Sequence, residues 1–192
     1  GSCARSVSRP ANCDQSLRGI RADLSWSEAT DPRDPLTQLP TEGVASSPVE
    51  RSFFHQVLDV FEGFAADVDG ELHSFAHRRG LKVWFDEANR EHYEAQLVRT
   101  DGEIGLEIGF HSEYPKTPAN DKVMARLASH EAVWRAELGD EPVAGPFLGS
   151  DVWRRISEVW EPPDAEDVDA AIEIAARLAD YVVTLEPLRR GT

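Results

Sequence analysis

Residues 91–113, EHYEAQLVRTDGEIGLEIGFHSE, are two alternating runs that meet at Asp101-Gly102. Asp-Gly suits a two-residue type I′ turn, whose central residues both need positive φ. So tight a turn leaves one pairing, in which facing residue numbers sum to 203. Thr100 then faces Glu103, Leu97 faces Leu106, Ala95 faces Ile108 and Tyr93 faces Phe110. Side chains alternate across a strand, so this apolar set shares one side. The other side carries His92 opposite His111 and Gln96 opposite Glu107, with Glu94 diagonal to both His111 and Glu107. A slip of one residue would turn every apolar side chain to the wrong face, which makes the register strongly specified.

The flanking stretches must supply a cover for that apolar side. Over residues 49–77 the residues Phe53, Phe54, Val57, Leu58, Phe61, Phe64, Val68, Leu72 and Phe75 recur at helical spacing, predicting one long amphipathic helix bent near Asp69-Gly70 and stopped by Gly80. Leu81, Val83 and Phe85 alternate and predict a strand. Its simplest antiparallel register sets Phe85 near Tyr93, Val83 near Ala95, Trp84 beside Glu94 and Asp86 beside His92. Thr117-Pro118 opens a second helix, with Val123, Leu127, Trp134 and Leu138 as its buried stripe and Gly139 as its stop. Residues 153–160, WRRISEVW, have the β-branched and aromatic content of a fourth strand. After Pro162-Pro163, Asp164 caps a final helix running to about Leu185, with Ile172, Ala175, Leu178, Ala179, Val182 and Leu185 as its stripe. The expected plan is α+β: a mainly antiparallel meander of three to four strands, helices on one face, in the order α-β-β-β-α-(β)-α.

Residues 1–48 are rich in Ser and Pro, and DPRDPLTQLP cannot hold a helix or central strand, so they read as a flexible or surface-draped segment preceding one domain over 49–192. Of the net charge of −15, −14 resides in that domain: 1–48 hold 5 Lys+Arg against 6 Asp+Glu, and the remaining 144 residues hold 15 against 29. Phosphate backbones would repel such a surface, and no basic patch interleaved with aromatics is present, so direct nucleic-acid binding is not expected. A basic protein partner would be attracted. No apolar run approaches the roughly 18 residues of a membrane span. Cys3 and Cys13 both lie in the polar segment and no second pair supplies a zinc set. The start shows no basic region followed by an apolar one, and Gly1-Ser2 resembles a cloning scar, so a cytoplasmic location is expected.

Phosphate-loop, dinucleotide and G-x-S-x-G signatures are absent. Three arrangements remain. Asp86, His92 and His111 in one transverse row would make a two-histidine, one-carboxylate metal set. His73 and His77 are spaced to share an ion on a helix, yet they project away from its apolar stripe and read as a solvated pair. Trp84, outward beside Glu94, Gln96 and Glu107, reads as an anchor for a protein partner. The pair Glu94 and Glu107 would do acid and base work only inside a cleft that separates their pKa values. The leading reading is an acidic protein-binding or regulatory domain without a cofactor. The alternatives are a small metal-dependent hydrolase or oxygenase and a homodimeric module that covers its outer sheet face with a second copy.

Overall fold

The computed structural model describes residues 52–100, 102–147 and 149–191. The expectations for residues 1–48, and for Asp101 within the turn, lie outside them. Among the described residues, four helices and six strands run in the order α1 (Phe53–Phe64), β1 (Leu72–His77), β2 (Gly80–Phe85), β3 (Glu91–Thr100), β4 (Glu103–Ser112), α2 (Thr117–Ala128), α3 (Glu131–Leu138), β5 (Val143–Pro146), β6 (Arg154–Trp160) and α4 (Val168–Arg190). All strands join one antiparallel sheet, ordered β1-β2-β3-β4-β6-β5. No described helix is long and apolar enough to cross a membrane.

The α+β plan holds, with two more strands than the meander read from sequence. The ladder between β3 and β4 has the expected register from Thr100↔Glu103 to Glu91↔Ser112, including His92↔His111. Its apolar side, Tyr93, Ala95, Leu106, Ile108 and Phe110, is fully buried, joined by Leu81, Val83 and Phe85 of β2 and Ile156 of β6. α1 covers the β1–β2 end with Phe54, Val57 and Phe61, and α4 covers β3 and β4. α2 and α3 add Val123, Leu127, Trp134 and Leu138 to the same core.

Several boundaries differ from the sequence reading. The long helix over 49–77 is α1 followed by strand β1. Gly70, at φ 114, lets the chain turn, and β1 then pairs Leu72↔Phe85 through His77↔Gly80, hydrogen-bonding what would otherwise be an edge of β2. Gly80 therefore opens a strand after the two-residue turn Arg78-Arg79 instead of ending a helix. The β2–β3 register is two residues from the expected one, with Val83↔Tyr93 and Lys82↔Glu94. Lys82, not Trp84, is the neighbour of Glu94, and Asp86 lies beyond the pairing. The second helix breaks at Ser129-His130 into α2 and α3, and Lys116 rather than Thr117 is its N-cap. The final helix is capped by Asp167, whose side chain accepts from the Asp169 amide, and it continues past Leu185. Its buried stripe uses Ala171, Ile174 and Tyr181 and leaves Ile172 exposed.

α4 is fastened to the sheet by a polar clamp at its C-terminal end. The Tyr93 hydroxyl donates to Glu186 Oε2 at 2.9 Å, and Arg189 and Arg190 donate to the same carboxylate at 2.6–2.8 Å. Burial would raise the Glu186 pKa, but the two arginines and Tyr93 bring it below the usual range. Tyr93→Phe leaves Glu186 its arginines and removes one neutral donor, so unfolding free energy should fall by about 1 kcal/mol. Urea denaturation checks this: a lower midpoint at an unchanged slope is expected, and an unchanged midpoint would contradict the clamp.

Candidate metal centre

On the side of the sheet away from the helices, three transverse rows cross β3, β4 and β6. The first is His92, His111 and Arg155; the second Glu94, Gly109 and Ser157; the third Gln96, Glu107 and Val159. The sequence reading turns this face to solvent or to a partner. Instead His92, His111 and Glu107 are each 0% exposed and Glu94 is 5% exposed. Gly109 makes the crowding feasible, because a Cβ there would collide with the Ile156 carbonyl and with Ser157.

Charges in such a place must be paired or they cost several kcal/mol each. Glu107 is the best-held. Its Oε1 accepts from Ser157 Oγ at 2.6 Å, His111 Nε2 at 3.1 Å and Arg155 Nη1 at 3.3 Å, and its Oε2 accepts from Gln96 Nε2 at 3.1 Å. Burial would raise the Glu107 pKa, but these partners hold it well below the usual range. Burial likewise opposes a charge on His111, yet Glu107 outweighs it, with Glu113 and Glu94 adding to the effect, and the pKa is raised. For His92 burial prevails over Glu94 and lowers the pKa. Three carboxylates, Glu94, Glu107 and Glu113, thus face Lys82, Arg155 and the His111 imidazolium.

Because Glu107 takes the His111 Nε2 proton in a hydrogen bond, Nδ1 is the ring atom turned toward the other groups. It lies 3.6 Å from Glu94 Oε2 and 3.9 Å from Glu113 Oε1. His92 Nε2 is 3.1 Å from Glu94 Oε1 and 3.8 Å from Glu113 Oε2. The first of these distances is short enough for a hydrogen bond, but its direction is poor. Both His92 nitrogens and His111 Nδ1 are buried without a directed hydrogen bond. Orphaned polar atoms of this kind cost roughly 1–3 kcal/mol each.

His92, His111 and Glu113 each bring a ligand atom within 4.8 Å of the others. A tetrahedral ion with bonds of about 2 Å needs its ligand atoms about 3.4 Å apart, so closing on an ion takes shifts of up to about 0.8 Å for each ligand atom. The Glu107 contact to His111 then has the form usual for a metal-ligating histidine, whose other ring N–H is held by a carboxylate. Glu113 is held through its backbone. Its own N–H donates to the Arg90 carbonyl at 2.8 Å. On either side of it, the Ser112 hydroxyl and the Tyr114 N–H both donate to the buried Asn120 Oδ1 at 2.8 Å.

Asp86, the carboxylate expected in the row, stands elsewhere. At φ 54 it turns out of β2, accepts from the Glu71 amide at 3.0 Å and pairs with Arg190 at 2.9 Å. Glu113 takes its place in the set. Strand parity could have found it, since 107, 109, 111 and 113 share one face. Lys82, 3.8 Å from Glu94 and 3.9 Å from Glu113, was hidden by the two-residue register error. His73 and His77 lie on β1, where four residues span about 13 Å, too far for one ion. His73 stacks on Trp84 at 5.5 Å and His77 on Phe75 at 5.6 Å. Trp84 is half-buried, and Glu94, Gln96 and Glu107, expected beside it on a partner-facing surface, are buried.

A cavity of about 280 Å³ adjoins the cluster, lined by Glu94, Glu113, Lys82 and His77, which are buried or half-buried, and by Arg90 and Phe75, which are exposed. No family model matches the chain, and no curated protein or solved structure matches it either.

Asn120→Ala would leave the Ser112 hydroxyl, the Tyr114 amide and the Tyr114 and Val152 carbonyls without their partner. Stability should drop by roughly 2–4 kcal/mol, read as a lower thermal midpoint. A change smaller than the error of the measurement would contradict the assigned role.

Proposed function

We propose that the chain is a metal-dependent enzyme of hydrolytic type, with a divalent transition-metal ion held by His111 Nδ1, His92 Nε2 and Glu113. The observation that carries this reading is the set of buried imidazole nitrogens without directed hydrogen bonds, converging on a carboxylate next to a cavity. Neutral imidazoles and carboxylates are the donors such ions prefer, so an ion would displace the Nδ1 proton of the His111 imidazolium, and three protein ligands leave a position open for water or substrate. An ion there would lower the pKa of its bound water to near 7. Glu94, which lies beside both histidines and lines the cavity, would be the carboxylate to accept that water's proton, although, against burial, His92, His111 and Lys82 hold its pKa below the usual range. An oxygenase would use the same ligands, but the adjacent carboxylate favours hydrolysis, in which a proton must be taken from water.

The protein-binding or regulatory reading has less support. Glu94, Gln96 and Glu107 are buried, and Trp84 is engaged with His73. A homodimer closing over this face would gain little from covering a row that is already buried.

Metal analysis after incubation with zinc, manganese or cobalt and desalting tests the proposal. About one ion per chain is expected, with a higher thermal midpoint in the loaded form. Glu113→Gln and His111→Ala should lose the ion, and Glu107→Gln, which leaves the ligands in place, should weaken affinity about 10–100-fold. Wild-type protein with native circular dichroism but under about a tenth of an ion per chain would refute the metal centre.

A further inference from the structure

Resting on the metal centre just proposed, we infer that the adjoining cavity binds a small organic anion with a flat apolar group, its oxyanion between the ion and Arg90 and its apolar part against Phe75. Charge comes first. With His111 Nδ1 bonded to an ion and Nε2–H on Glu107, that ring is neutral. Glu94, Glu107 and Glu113 then face Lys82, Arg155 and a divalent ion, leaving one positive charge unbalanced in a buried place. An anionic ligand offsets it where water would not.

Arg90 adds a second cation. Lys82 is already shared between Glu94 and Glu113. Arg90 is exposed, lines the same cavity and has no carboxylate partner among the described residues; only its backbone carbonyl is engaged, by the Glu113 amide. A free guanidinium at the mouth of a site is suited to hold one end of a carboxylate or phosphate.

The apolar requirement comes from β1. Phe75 is 53% exposed on an edge strand, and its ring lies over that of His77 at 5.6 Å and 26°, making a flat wall. A cavity of about 280 Å³ limits the ligand to a small metabolite.

Cobalt-loaded protein provides the test, because the visible spectrum of a protein-bound cobalt ion responds to a new ligand. Benzoate, acetate and inorganic phosphate are titrated separately. Benzoate should perturb the spectrum at a concentration about tenfold lower than acetate. Phe75→Ala should bring the two within about threefold, and Arg90→Ala should weaken both about tenfold. Neither residue contributes to the core, so both variants should fold and retain the cobalt spectrum. A normal cobalt spectrum that ignores all three anions overturns this inference and leaves the metal centre standing. Phosphate binding that exceeds benzoate and is indifferent to Phe75→Ala overturns the apolar part. No cobalt spectrum in the wild type overturns the metal centre, and this inference with it.

Discussion

The ladder between β3 and β4 sets both faces of the sheet at once, and the rest of the molecule depends on it. With period-two alternation, placing Tyr93, Ala95, Leu106, Ile108 and Phe110 under the helices sends His92, Glu94, Gln96, Glu107 and His111 to the opposite side. The apolar side accounts for folding by ordinary burial, worth roughly 1.5–3 kcal/mol for each large side chain. The polar side works against that gain unless its charges are paired, and Glu107 achieves this by accepting from β3, β4 and β6 together.

The candidate metal centre follows from the same geometry. A cross-strand pair of histidines is brought together by β pairing, and the His111 ring is oriented by a carboxylate four residues away on the same strand. Glu113 completes the set because Asn120 and the Arg90 carbonyl hold the chain beyond the end of β4. The candidate ligands thus sit on paired strands and a braced segment, and the exposed Arg90 and Phe75 line the adjoining cavity.

Where the sequence reading departs from the structure, the cause is a choice that local pattern cannot make. Leu72 and Phe75 fit helical spacing after Phe64 and Val68, and they fit a strand equally well; pairing with β2 settles the matter. The simplest antiparallel register sets Asp86 beside His92, and the two-residue difference in register leaves Asp86 beyond the pairing and sets Lys82 opposite Glu94. β5, four residues in a turn-rich stretch, has no pattern of its own and exists because β6 offers it an edge. His92 and His111 as a facing pair were legible, because one tight turn determines them. Glu113 was legible by parity but lay past the last apolar landmark.

By itself the sequence determined the pairing of β3 with β4, the apolar floor for the helices and the placing of two histidines opposite each other on the other side. Those follow from an Asp-Gly turn and alternation over ten residues on each strand, which are local properties. Only the tertiary structure decided that the histidine side is buried, that Glu113 rather than Asp86 joins it, and that a cavity opens beside it. Those depend on β6 supplying Arg155 and Ser157, on the β2 register supplying Lys82, and on Asn120 of α2 bracing Glu113. Such contacts span long sequence separations, and no periodicity encodes their distances.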